Sequence, residues 1–86
     1  MAIFVVVSQN QNQKLSEAIT QAYPDNFFTL APDQWIISTD ALTKEVADKL
    51  NITGGDQGRV AVFKIETYYG WHDKNVWEWL ELKNKK

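Results

Sequence analysis

The spacing of apolar residues switches repeatedly between a strand period and a helical period along these 86 residues. This alternation limits the possible folds more than any other feature of the sequence. A continuous apolar run, Ile3 to Val7, is typical of a buried strand. Apolar residues then recur at helical spacing from Leu15 to Tyr23, and Pro24 ends the pattern because proline cannot continue a helical hydrogen-bond ladder.

The middle of the chain predicts a β-hairpin and a second helix. Two short β-like runs, 27–30 and 35–39, are separated by a turn that contains Pro32. A helix around 41–50 follows. Asp40 is its predicted N-cap, because a carboxylate there can accept hydrogen bonds from the free N–H groups of the first turn. Its predicted inward-facing residues are Leu42, Val46, Ala47 and Leu50.

The last third begins with a glycine-rich turn and an alternating strand, predicted over 59–69. The segment after it has two interpretations, a helix that starts after Asp73 or a strand over 76–82. We favour the helix, because Asp73 is a good cap and the lysines near the end suit a helix C-terminus.

The predicted order is β-α-β-β-α-β with a C-terminal helix, in a single domain over residues 1–86. This order is typical of the ferredoxin-like plan, an α+β fold with a four-stranded antiparallel sheet and both helices on one face. We expect the first and last strands to be central, because they are the most apolar. The other sheet face then needs a cover, since exposed apolar area costs about 25 cal/mol per Å². The candidates are the C-terminal segment, a second copy of the chain or a different partner.

Composition excludes several kinds of site. The chain has no cysteine and one histidine, His72, which excludes thiolate metal sites and multi-histidine sites. His72 and Ser8 lack the further residues that a metal centre or a serine nucleophile needs. We therefore predict no catalytic residue, no metal site and no cofactor.

Charge and hydropathy bear on partners and location. A net charge of −2 gives no overall attraction to nucleic acid, so that partner is not expected. The longest apolar run is far shorter than the roughly 20 residues of a membrane span. We expect a cytoplasmic protein without membrane contact.

Aromatic residues are the remaining signal, because three of the four tryptophans fall in the last sixteen residues. Tryptophan and tyrosine are favoured in protein interfaces. We predict an interface in a homodimer, or with another protein, that uses Trp71, Trp77, Trp79, Phe4 and Tyr69. Internal packing and the stacking of nucleobases are the alternative uses of these rings.

Four segments resemble short bacterial proteins of the SinR family. They are Met-Ala-Ile-Phe-Val-Val-Val-Ser at 1–8, Asp-Gln-Trp-Ile-Ile-Ser at 33–38, Lys-Leu-Asn-Ile-Thr at 49–53 and Val-Trp-Glu-Trp at 76–79. The resemblance covers nearly the whole chain and consists of packing and turn residues, so it implies a fold more than an activity. The family label implies a transcriptional regulator, whereas no helix-turn-helix pattern is present.

The layout is also similar, more distantly, to VapD-like toxins and to the ferredoxin-fold nucleases of CRISPR adaptation. That similarity implies dimers that cleave phosphodiesters with a metal held by an aspartate at the end of the first strand. This chain has Ser8 there, and a hydroxyl is a weaker magnesium ligand than a carboxylate. We expect a non-enzymatic homodimer that acts by protein association. The alternative is a metal-dependent endoribonuclease or a nucleic-acid-associated defence or toxin protein.

Overall fold

Residues 2–84, which the computed structural model describes, form four strands and three helices in the order β-α-β-β-α-β-α. The elements are β1 Ala2–Ser8, α1 Gln13–Ala22, β2 Phe27–Ala31, β3 Gln34–Thr39, α2 Thr43–Lys49, β4 Val60–Ile65 and α3 Lys74–Asn84. The predicted α+β class and the helical form of the C-terminal segment are confirmed. None of these helices has both the length and the apolar character needed to cross a membrane.

The four strands form one antiparallel sheet in the order β2-β3-β1-β4. In the centre of the sheet, Val6 of β1 lies opposite Trp35 of β3 and Val62 of β4. The prediction that the last strand is central was wrong, because β4 is an edge strand and β3 takes the central place. The physical reason is that β3 is buried on both faces from Trp35 to Ser38, whereas most of β4 is exposed or only half-buried.

Helices α1 and α2 cover one face of the sheet. The Asn12 side chain caps α1, since its Oδ1 accepts a hydrogen bond from the Leu15 N–H at 3.0 Å. Its Nδ2 donates to the Gln57 carbonyl at 2.9 Å, which ties the start of α1 to the turn before β4. The buried residues of this first core are Phe4, Val6, Leu15, Ile19, Tyr23, Trp35, Ile37, Val46, Leu50 and Ile52.

The start of α2 differs from the prediction. Leu42, not Asp40, is the N-cap residue, and the Leu42 N–H donates to Glu45 Oε1 at 2.7 Å. Leu42 therefore lies outside the helix and its side chain is exposed, so its predicted place in the inner stripe was wrong. Val46 and Leu50 are buried as predicted.

Strand β4 ends at Ile65, four residues before its predicted end at Tyr69. Ile65 lies opposite Ile3, which is next to the first residue of β1. Beyond this pair strand β1 continues only to Ala2, so β4 loses its partner strand there. Residues 66–73 form an irregular segment that leads to α3.

Helix α3 covers part of the opposite sheet face and builds a second core there. The buried residues of this core are Ile3, Ile36, Val76 and Leu80. The Trp79 ring packs against Phe28 of β2 with 6.0 Å between ring centroids. Lys83 Nζ donates to the Asp25 carbonyl and to Asn26 Oδ1, both at 3.0 Å, and so fixes the end of α3 beside the start of β2.

Candidate association surface

The sheet face beneath α3 stays uncovered at its β4 side. Ile36 and Ile3, on the two central strands, are buried under α3. Further out, Phe63 of β4 lies opposite Val5 and is 55% exposed. The predicted open sheet face is therefore present along β4. Over the central strands the face is covered by helix α3 of the same chain.

Two aromatic side chains of the segment after β4 are exposed to solvent. Tyr69 is fully exposed and Trp71 is 98% exposed. Gly70 between them has φ +151°, a backbone conformation that residues with a Cβ rarely adopt. Gly70 thus separates two large rings that lie outside both cores.

An apolar groove of about 160 Å³ lies between this segment, α3 and the sheet. Its rim includes Tyr68, whose ring stacks on Trp77 with 6.4 Å between centroids and 20° between planes. The His72 ring also lines it, with Nδ1 accepting a hydrogen bond from the Asp73 N–H at 2.8 Å. The full lining is Val5, Leu30, Ile36, Ile65, Tyr68, His72, Val76, Trp77 and Leu80. Apart from His72, the side chains of this lining are aliphatic or aromatic.

The five residues predicted at an interface separate into three groups. Tyr69 and Trp71 lie together on the exposed segment. Trp77 and Trp79 are half-buried on α3, against Tyr68 and Phe28 respectively.

Phe4 is a correction to that prediction. It is 0% exposed, because the even-numbered residues of β1 face α1 and α2, and so it offers no surface to a partner. Sequence reasoning missed Phe63 as an exposed ring, because the alternating pattern of β4 does not by itself distinguish an edge strand from a central one.

A second, polar pocket of about 220 Å³ lies where α1 begins. It is lined by residues 8–12 and 57–59, including Ser8 and Arg59. Gln57 is buried there and its Nε2 donates to the Leu50 carbonyl at 3.0 Å, while its Oε1 has no partner among the described residues. The pocket offers amide groups, a hydroxyl and one guanidinium. Within residues 2–84, no three acidic or histidine side chains are placed to hold a metal ion.

Comparison with protein-family models and with curated proteins found no match to this chain. The surfaces described above therefore provide the grounds for a functional proposal. We give the name aromatic surface to the exposed rings of Phe63, Tyr69 and Trp71 together with the groove. The groove lining includes Val5, which lies opposite Phe63, and the chain neighbours Tyr68 and His72.

Proposed function

We propose that this protein acts by association with a second copy of itself, without catalysis, and that the aromatic surface is the contact. The observation that carries the proposal is the exposure of three large rings on β4 and on the segment that follows it. Phe63, Tyr69 and Trp71 are each more than half exposed. Large exposed apolar area on a folded domain marks an interaction site, because isolated domains rarely leave such area in water.

The area of these rings fits a dimer contact. An aromatic side chain buries about 150–250 Å², so the three rings, given their exposed fractions, offer about 400–600 Å² per copy, against about 800 Å² per partner in an ordinary interface. The groove walls beside them, from Val5 to Trp77, supply further apolar area. In a contact of this kind the aromatic rings form the centre, and the charged residues of α3 form the polar rim.

We propose the ferredoxin-like plan for the first six elements. The β-α-β-β-α-β order, the strand order β2-β3-β1-β4 and the placement of α1 and α2 on one face support it. Helix α3 is then an addition that covers the second face. Membership of the bacterial SinR family and a cytoplasmic location stay predictions from the sequence.

Light scattering coupled to size-exclusion chromatography tests the association. We expect a mass near twice the chain mass of 9.9 kDa at high protein concentration, falling towards the chain mass on dilution. Phe63→Lys places a charge in the aromatic surface and should raise the dissociation constant at least about tenfold, the effect of one interface hot spot.

Leu42→Lys is the matched control. Leu42 is 70% exposed at the start of α2, on the opposite side of the sheet from the aromatic surface. The substitution therefore changes apolar exposure without touching the proposed contact. A wild-type protein that is a monomer at every concentration would overturn the proposal, as would equal weakening by both substitutions.

The metal-dependent endoribonuclease stays the alternative prediction. Its test is incubation of the same protein with RNA and magnesium. Magnesium-dependent cleavage that an aspartate substitution abolishes would favour it over pure association.

A further inference from the structure

We infer that the dimer contact is reciprocal, with Trp71 of each copy inserted into the apolar groove of the other. This inference rests on the proposed homodimer and specifies how its contact is built. It depends on two observations on the same surface, an indole that nothing in its own chain buries and an apolar groove that its own chain leaves unfilled.

The segment that carries the exposed Trp71 indole is attached to the rest of the fold. Trp71 lies between Gly70, which has a positive φ, and His72, which lines the groove. On the N-terminal side of Gly70, Tyr68 is stacked on Trp77 of α3. The segment is thus attached to the groove wall at both ends, while the Trp71 ring itself is 98% exposed and does not fill the groove beside it.

The groove has the size and chemistry that an indole requires. Its volume is about 160 Å³. A closed apolar cavity of about 150 Å³ with a comparable aliphatic and aromatic lining accepts benzene, so this open groove has the volume that the six-membered ring of an indole needs. The indole N–H would lie towards the rim near His72, where it can reach water or a polar partner.

A second copy of the chain is the occupant that this surface fits. In a two-fold dimer the same patch serves both protomers, so it must carry both the inserted group and its receiving site. Here Trp71 is the chain neighbour of His72, which lines the groove. The two insertions together would bury about 300–500 Å² of indole, a substantial share of the roughly 1,600 Å² in an ordinary interface.

Complementation between two variants tests the reciprocal contact. Trp71→Ala removes the indole and leaves the groove, whereas Leu30→Lys obstructs the groove and leaves the indole. Leu30 is half-buried near the end of the edge strand β2, so a lysine stem can pack there while its amine reaches solvent. Each homodimer loses both insertions, and each dissociation constant should rise at least about 100-fold, two hot-spot losses of tenfold or more.

An equimolar mixture of the two variants should recover part of the affinity. The mixed dimer has one intact insertion, from Trp71 of the Leu30→Lys copy into the groove of the Trp71→Ala copy. Native mass spectrometry, which separates the species by mass, should show the mixed dimer at about tenfold lower dissociation constant than either homodimer. Trp71→Phe should retain part of the wild-type affinity, since its ring still enters the groove.

The outcomes separate the inference from the proposed function. If the wild type dimerises and Trp71→Ala dimerises equally well, the insertion is wrong and the homodimer stands. A mixture without recovery also overturns the insertion. A monomeric wild type overturns both. Circular dichroism checks folding, and if Leu30→Lys does not fold, His72→Glu at the exposed rim takes its place.

Discussion

At the scale of single residues, Tyr23 brings a polar hydroxyl group into the first core. The ring lies on the inner side of α1 as its helical spacing predicts, and it is only 6% exposed. Its hydroxyl has no hydrogen-bond partner among the described residues, and Lys49 Nζ lies 4.8 Å from the ring centroid. Burial, and then the negative charge of Glu45, raise the pKa of Tyr23 above its ordinary value of 10.0.

Tyr23 should therefore make the protein sensitive to alkali. Because the folded state holds this proton more tightly than the unfolded state, the stabilisation is complete below pH 10.0 and is lost as pH rises through the folded pKa. Tyr23→Phe removes the titrating group. As pH rises above 10, the free energy of unfolding of the variant should therefore fall less than that of the wild type. At pH 7 we expect no loss, or a gain of up to about 1 kcal/mol, since a buried unpaired hydroxyl is removed.

Urea unfolding at several pH values between 7 and 11 measures this effect. Tyr69→Phe, at a fully exposed ring, is the control for the substitution itself. An alkaline loss in Tyr23→Phe as steep as that of the wild type would contradict the assignment.

At the scale of elements, sequence periodicity located each strand and helix but not every boundary or neighbour. The start of α2 was misplaced because Asp40 is a good cap by residue type, whereas the backbone enters the helix only after Leu42. The sheet position of β4 was misjudged because its alternating pattern suits either a central or an edge strand. The unbroken buried run from Trp35 to Ser38 was the better sign of a central strand.

The attachment of α3 to the sheet gives a prediction at this scale. Lys83→Met keeps the apolar stem and removes the two hydrogen bonds to Asp25 and Asn26. We expect faster amide hydrogen exchange in the last turn of α3 and a loss of about 1 kcal/mol in the free energy of unfolding, the usual value of such exposed contacts.

Lys74→Met is the matched control at the other end of α3. Lys74 lies 4.0 Å from Glu78 in an exposed pair, which contributes little. If both substitutions change exchange in α3 equally, Lys83 has no special part in fixing the helix.

At the scale of the whole molecule, α3 decides what the second sheet face becomes. Without it, the face that carries Ile3 and Ile36 would be open across all four strands. With it, Phe63 on β4 and the rings of Tyr69 and Trp71 stay exposed within the described part of the chain. The position of α3 thus turns most of an apolar face into a second core.

Removal of residues 74–86 tests whether α3 is needed to cover the second sheet face. The truncated chain loses Val76 and Leu80 and uncovers Ile3 and Ile36. Each fully buried side chain of this kind is worth about 1.5–3 kcal/mol, so the total approaches the about 5–15 kcal/mol that stabilises an ordinary domain. We expect strong binding of a hydrophobic dye and loss of the near-ultraviolet circular dichroism signal, whereas Leu82→Ala, at an exposed position of the same helix, should change neither. An unchanged thermal midpoint in the truncated chain would show that α3 is dispensable.

The sequence by itself determined the α+β class and the order of the elements, and it favoured the helical form of the C-terminal segment. These follow from local rules, because period, proline and capping depend on neighbours along the chain. Only the tertiary structure decided that Phe4 faces α1 and α2, that Phe63 is exposed and that α3 closes most of the second face. Each of these depends on which strand pairs with which and on which face a helix packs, and such contacts join residues far apart in sequence.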